Sequence, residues 1–579
     1  MNDEWSLRPH PRLRPRPGPL VLVILDGVGL GRDDEGNAVR WARTPTLDEL
    51  VARRPWLELR AHGTAVGMPS DADMGNSEVG HNALGAGRVF DQGAKLVGGA
   101  IADGRLFAGE TWRWMVGPAV AEGTPLHFIG LLSDGNVHSH IEHLFALLRR
   151  AAADGVRQLY VHPLLDGRDV PETSALRYIE ALETVLRELE AGGAGRRCRI
   201  ASGGGRMKVT MDRYEADWRI VERGWKAHVR GEGRAFASAR EAIETYRREQ
   251  PGIIDQDLPE FVIQEGGRPV GPIRDGHGVV FFNFRGDRAI EISRAFEEES
   301  FDRFPRGPRP AVRYAGMMQY DGDTRLPARF LVSPPAIERT LGELLARGGV
   351  PQLALAETQK FGHVTYFWNG NRTGMFDERC ERYVEVPSDR VPFEQRPWMK
   401  AAEVTDRALE ELASGRWRFV RINYANGDMV GHTGILPAAE IAVESVDLCL
   451  ARLRRAVRAA GGTLVVTADH GNADEMYEWN AKRGDFDRDD AGRPKAKTAH
   501  TLNPVVFAIE DPAAEDVPAP ELCAPFGVAG RVPATRLGPD WEFDPTVARP
   551  GLSHVANTLL VLLGYEPLAL YDPPLIRPR

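Results

Sequence analysis

Small and polar residues crowd around a single hydroxyl in Asp73-Met74-Gly75-Asn76-Ser77-Glu78-Val79-Gly80-His81. A serine is a poor nucleophile near neutral pH, so chemistry at Ser77 needs a base or a metal to hold its alkoxide. Gly75 and Gly80 would let the backbone turn tightly and approach a ligand. Alone, the stretch reads as a glycine-rich turn whose serine caps a helix. The activators would have to come from elsewhere in the chain. Asp26 ends the apolar run from Pro19 to Leu25, and Asp469 and His470 leave the β-branched run from Thr463 to Thr467 together. Asp428 and His432 are four apart, which on a helical turn points both side chains the same way. His500 lies in Thr498-Ala499-His500-Thr501. Such a mixture of oxygen and nitrogen donors suits Mn²⁺, Co²⁺ or Zn²⁺ better than thiolate metals or all-oxygen Ca²⁺. It is too large a set for one ion and fits two, which would lower the Ser77 hydroxyl pKa and clamp a phosphoryl group.

A second set is cationic. Arg168, Arg206, Arg213, Arg285 and Arg288 follow the ends of different expected strands. One such arginine reads as a surface residue, whereas five at equivalent positions predict a convergent pocket. Guanidinium forks suit phosphate and carboxylate, so a small, doubly anionic substrate is expected. Lys360, just beyond the expected strand at Ala354–Glu357, reads on its own as an exposed lysine.

The elements that must position these residues alternate as in an α/β protein. Continuous apolar runs such as Leu20–Leu25 predict strands buried on both faces, and open α/β sheets bind ligands beyond the carboxyl ends of such strands. Further strands are expected at Leu126–Leu132, Leu159–Leu164, Arg199–Ser202, Val279–Phe284, Phe419–Tyr424 and Pro504–Ala508. Helices are expected from Thr46, over Ile141–Arg150 and over Ile337–Arg347. The character changes near Gln92 and again at Pro334-Pro335, and at 579 residues two domains are the first expectation. Residues 1–17, basic and proline-rich, read as a disordered tail, and Glu478–Lys497 as a surface excursion. With 42% apolar and 27% charged residues and no long apolar run, neither disorder nor a membrane span is expected. A net charge of -9 gives no general reason to expect nucleic acid. Four scattered cysteines disfavour a disulfide framework and fit a cytoplasmic location. No association helix or heptad is visible, so a monomer is expected.

Asp26-Gly27, Gly75 through His81, Asn426 through Thr433, Thr467 through Asn472 and Thr498 through Thr501 together resemble the motifs of the cofactor-independent phosphoglycerate mutases, of the alkaline phosphatase superfamily. The resemblance runs from about Val21 to Tyr571. Gly203 through Arg213 and the excursion before His500 are more similar to the plant and trypanosomatid branch than to the shorter bacterial one.

The resemblance implies an α/β fold in which an alkaline-phosphatase-like metal-binding domain, 18–91 and 334–579, is split by an inserted transferase domain, 92–333. It implies two divalent metal ions, Mn²⁺ first, with Co²⁺, Mg²⁺ or Zn²⁺ as the other candidates, and no 2,3-bisphosphoglycerate. One ion would be held by Asp428, His432 and His500, the other by Asp26, Ser77, Asp469 and His470. Ser77 would carry the phosphoryl group, and His138, Arg168, Asp169, Arg206, Arg213, Arg285, Arg288 and Lys360 would bind phosphoglycerate. Asp169 is the implied general acid/base. The expected reaction interconverts 3- and 2-phosphoglycerate. A phosphatase or another phosphomutase would share the metal and serine apparatus but would not need the arginine-rich insert.

Overall fold

The computed structural model describes residues 5–68, 71–91, 93–212, 217–320, 325–333, 337–481, 483–489, 491–514, 526–531, 533 and 535–579. Two compact units emerge, Met1–Gln92 with Ala336–Arg579, and Gly93–Pro335. Each has its own hydrophobic core. Gln92, Pro334 and Pro335, where the sequence changes character, lie outside the described residues, as does Arg213.

The discontinuous unit is organised on a seven-stranded sheet in the order Glu381–Val386, Gln352–Glu357, Phe419–Tyr424, Leu20–Leu25, Thr463–Thr467, Val505–Glu510, Trp56–Leu59. The first five strands are mutually parallel, and Val505–Glu510 runs against its two neighbours. Leu20–Leu25 is buried at every residue, as an unbroken apolar run in the middle of a covered sheet must be. It pairs with Phe419–Tyr424 on one side and Thr463–Thr467 on the other.

In the second unit the path is Arg313–Gly316, Gly278–Phe281, Leu126–Leu132, Gln158–Leu165, Ser202–Gly205, Phe261–Glu265, Arg234–Phe236. Gly278–Phe281, Leu126–Leu132, Gln158–Leu165 and Ser202–Gly205 are consecutive and parallel. Helices Ile141–Ala153 and Ala175–Ala191 bury one apolar face each, which their spacing of leucine, isoleucine and alanine supplies.

Some sequence expectations need correction. The expected strand Arg199–Ser202 is two strands, Arg197–Ile200 and Ser202–Gly205, and Gly203, Gly204 and Gly205 lie within the second. Glycine is a poor strand former, but here a Cβ on Gly203 would meet Pro163 O and the Phe261 ring at 2.6 Å, and one on Gly205 would meet Gln256 O at 2.3 Å. The strand expected to reach Phe284 stops at Phe281, and beyond it Asn283 Oδ1 accepts the Leu131 N–H at 2.8 Å. The helix expected from Ile337 begins at Leu341, capped by Thr340. The N-terminal segment from Trp5 is no disordered tail. Trp5, His10 and Leu13 are buried, the His10 N–H donates to Gly564 O at 2.8 Å, and Arg16 pairs with Asp511 at 2.7 Å. Among the described residues no helix is long and apolar enough to cross a membrane.

Candidate functional site

Four neighbouring parallel strands of the first unit each deliver a polar group just past their carboxyl ends. Gln352–Glu357 leads to Lys360, Phe419–Tyr424 to Asp428, Leu20–Leu25 to Asp26, and Thr463–Thr467 to Asp469 and His470. Asp428 rides on the short helix Asn426–Gly431, and His432 is its C-cap. Gly27 makes this convergence possible: its φ is +74°, and a Cβ there would strike Asp428 N at 2.4 Å.

Ser77 is the first residue of helix Ser77–Ala86, and Asn76 does the capping by accepting Val79 N–H at 3.1 Å. The serine is therefore released from the capping role that its local sequence suggests, and it stands at the positive end of the helix, where anions bind. Gly75 and Gly80 do not have the turn geometry expected of them. They allow close backbone approach, since Cβ atoms there would meet Ala61 O at 2.1 Å and Asp469 O at 2.7 Å.

Around Ser77 Oγ lie His470 Nε2 at 2.9 Å, Asp26 Oδ1 at 3.2 Å and Lys360 Nζ at 2.5 Å. Lys360 Nζ also reaches Asp26 Oδ1 at 2.6 Å and Asp428 Oδ2 at 2.7 Å, and it is buried rather than exposed as its sequence position suggested. His432 Nε2 and His500 Nε2 are each 3.1 Å from Asp428 Oδ1 and 3.1 Å from one another. The structure thus brings together Asp26, Ser77, Asp428, His432, Asp469, His470 and His500, with Lys360 among them.

The tautomers follow from the outer nitrogens. His500 Nδ1 donates to Gly75 O at 2.8 Å, His432 Nδ1 to Thr498 O at 2.5 Å and His470 Nδ1 to Gly471 O at 3.2 Å. In the tautomer those bonds select, each ring turns a bare Nε2 lone pair inward. Two such lone pairs and a carboxylate oxygen facing one another at 3.1 Å repel unless a cation sits between them. Donors bound tetrahedrally at about 2.0–2.1 Å lie roughly 3.3 Å apart, so the spacing fits a divalent ion. Three buried carboxylates against a single lysine leave a negative excess that points the same way. Burial, then the Asp469 carboxylate, pushes Asp26 up to about 6.

His81 and Asn423 were not singled out from sequence. His81 Nδ1 lies 2.8 Å from Ser77 O and 3.3 Å from Asp469 Oδ2, while Asn423 Nδ2 donates to Asp26 Oδ2 at 2.7 Å and faces His81 Nε2 at 3.2 Å. With both ring nitrogens committed, His81 braces Asp469 and the serine turn instead of offering a lone pair. Its place four residues after Ser77, on the same helix face, is the signal that would have found it.

The second unit repeats the strand-end logic with opposite charge. Gly278–Phe281 leads to Arg285 and Arg288, Leu126–Leu132 to His138, Gln158–Leu165 to Arg168 and Asp169, and Ser202–Gly205 to Arg206. Arg206 is 1% exposed and pairs with Asp166 at 2.9 Å and with Asp169. Burial works to lower the Arg206 pKa, and the two carboxylates more than reverse it. Asp166, missed in the sequence, accepts the Ser133 hydroxyl at 2.6 Å and the Asp169 N–H at 3.0 Å, fixing the turn that carries Asp169. Arg285 pairs with Asp287 at 3.2 Å, and Arg288 donates to Met211 O at 2.9 Å. Burial, and then the charges of Arg206, Arg285, Arg288 and Arg168, hold His138 far below its ordinary pKa.

Residues 97–322 match the BPG-independent PGAM N-terminus family, and residues 319–517 match the type I phosphodiesterase/nucleotide pyrophosphatase family. The chain is 53% identical to a probable 2,3-bisphosphoglycerate-independent phosphoglycerate mutase of Leptospira interrogans, over 96% of this chain and 97% of that protein. It is 51% identical to the 2,3-bisphosphoglycerate-independent phosphoglycerate mutase of Trypanosoma brucei brucei, with the same coverage. A crystal structure of Leishmania mexicana phosphoglycerate mutase at low cobalt concentration superposes with a TM-score of 0.91 at 48% identity, covering 99% of this chain and 100% of that one.

Proposed function

The chain belongs to the 2,3-bisphosphoglycerate-independent phosphoglycerate mutases, and from that premise we propose how its residues divide the work of interconverting 3- and 2-phosphoglycerate. Ser77 is the group that takes the phosphoryl and returns it. Asp428, His432 and His500 would hold one divalent ion, and Asp26, Ser77, Asp469 and His470 a second, with Mn²⁺ or Co²⁺ the best match to the donors. When bound, the ions would lower the hydroxyl pKa and neutralise phosphoryl oxygens.

The chain's own groups supply the rest. Lys360, 2.5 Å from Ser77 Oγ, stabilises the serine alkoxide and then the oxygens of the transferring group. The amino end of helix Ser77–Ala86 favours negative charge at the same point. Arg206, Arg285 and Arg288, with Arg168, His138 and Arg213, grip the carboxylate and hydroxyl groups of the glycerate. Asp169 moves the proton to and from the glycerate oxygens, held for that task by Arg206 and the Asp166 turn. Two successive in-line displacements at phosphorus retain its configuration, and no 2,3-bisphosphoglycerate enters the cycle. The enzyme is read as a cytoplasmic monomer.

The observation that carries this reading is the inward turn of three Nε2 lone pairs beside a serine oxygen at a helix amino terminus. Ser77→Ala tests it. Conversion of 3-phosphoglycerate, assayed without 2,3-bisphosphoglycerate, should fall by on the order of 10⁴-fold or more, while calorimetry still detects substrate binding. Near-normal turnover would rule out the covalent route.

A further inference from the structure

Apart from its arginine cluster, the second unit contains a row of buried imidazoles and hydroxyls that the chemistry above does not use. His277 Nδ1 lies 2.9 Å from His127 Nε2, and His127 Nδ1 lies 3.0 Å from His162 Nε2. His162 Nδ1 is 2.7 Å from Ser202 Oγ, which is 2.8 Å from His228 Nδ1. His228 Nε2 is 2.9 Å from Thr210 Oγ1. From His127 to Thr210 every member is buried, and His277 at the outer end is half-buried.

One contact at the outer end sets every proton in the row. The backbone N–H of Arg274 donates to His277 Nδ1 at 3.3 Å, so that nitrogen carries a lone pair and His127 must donate to it from Nε2. A neutral imidazole has one N–H and one lone pair. His162 therefore donates from Nε2 to His127, the Ser202 hydroxyl donates to His162, His228 donates from Nδ1 to Ser202, and the Thr210 hydroxyl donates to His228. Burial keeps the row neutral: it lowers His127 and His162 well below the ordinary value and His228 to about 3.

The inner end is where the row meets the substrate arginines. Thr210 has a φ of +71°, a left-handed conformation that a β-branched residue rarely takes. A Cβ on Gly224 would come within 2.0 Å of Thr210 Oγ1, so the hydroxyl is pressed against a glycine that leaves room for it. The next residue, Met211, offers its carbonyl to Arg288, and Arg206 stands four residues before Thr210. His228 itself sits on the π-helical turn Lys226–Arg230, a geometry that recurs at functional sites.

We propose that Thr210 and His228, backed by Ser202, His162 and His127, are positioning residues for substrate recognition, holding the left-handed turn whose Met211 carbonyl aims Arg288. The proposal rests on the reading of Arg288 as a phosphoglycerate ligand. Valine matches threonine in shape but cannot donate to His228. Thr210→Val should raise the KM for 3-phosphoglycerate about tenfold with kcat changed far less, and Thr210→Ser should restore it. The Thr210→Val/Arg288→Ala double variant should be no worse than Arg288→Ala alone. A wild-type KM in Thr210→Val, or effects that multiply in the double variant, would overturn the proposal. If Arg288→Ala leaves KM unchanged, the ligand assignment itself falls and takes the proposal with it, so the two failures are distinct. Should Thr210→Val not fold, ¹⁵N spectra of histidine-labelled wild-type enzyme decide: His228 must be the Nδ1–H tautomer and His127 and His162 the Nε2–H tautomer, and the reverse pattern contradicts the row.

Discussion

The two units use the same architecture to opposite electrostatic ends. In each, four adjacent parallel strands end on polar side chains, but the first unit gathers carboxylates and imidazole nitrogens around Lys360, and the second carries guanidinium groups beyond its strand ends. The first is short of positive charge and the second of negative. A parallel sheet therefore fixes where functional groups meet, while the few residues beyond each strand decide what they attract. The two clusters also differ in how they are held. The first is braced by backbone carbonyls at His432, His470 and His500, the second by buried ion pairs such as Arg206 with Asp166 and Asp169.

That difference in bracing predicts unequal sensitivity. Arg206→Met leaves two buried carboxylates without their cation and should cost about 3–5 kcal/mol. The loss should appear in urea unfolding monitored by hydrogen exchange in residues 126–206, with the Ser77 helix little changed; equal loss in both units would erase the contrast. His500→Ala, by comparison, removes one lone pair from a site rich in like charge and should weaken metal binding far more than it weakens the fold.

Acid should act on the second unit through its buried row. His127, His162 and His228 have folded pKa values below the unfolded value of about 6.5, so their neutral forms contribute full stability above that pH. Stability is lost as pH falls from about 6.5 toward the folded values, because the unfolded chain binds protons that the folded one refuses. At pH 5.5 each should cost about 1.4 kcal/mol. In the whole chain, denaturant midpoints read by hydrogen exchange in residues 126–165 and 226–230 should fall between pH 7 and 5.5, and a flat profile would show that the row is not neutral at pH 7.

Much of the first site was legible because chemistry-bearing residues follow unbroken apolar runs, as Asp26 follows Leu20–Leu25, and because Asp428 and His432 have helical spacing. Lys360 looked ordinary for the opposite reason, since nothing local announces that its neighbouring strand lies beside Phe419–Tyr424. His127 and His162 sit inside strands and read as core. They meet only through a register that pairs Ile129 with His162, which no local pattern encodes. Thr210 was invisible because a left-handed threonine has no composition signal. The basic, proline-rich N-terminus hid two anchors, Trp5 and Leu13, whose burial outweighs the polar residues around them.

The central claim is that Asp26, Ser77, Asp428, His432, Asp469, His470 and His500 are one cation-binding set assembled against the serine oxygen. Calorimetric titration of chelator-treated protein with Mn²⁺ tests it most directly, with wild type and His500→Ala compared at equal pH. The account predicts two tight equivalents per wild-type chain and the loss of one in the variant, with phosphoglycerate conversion returning only as the sites fill. Full conversion in protein that binds no divalent ion would contradict it.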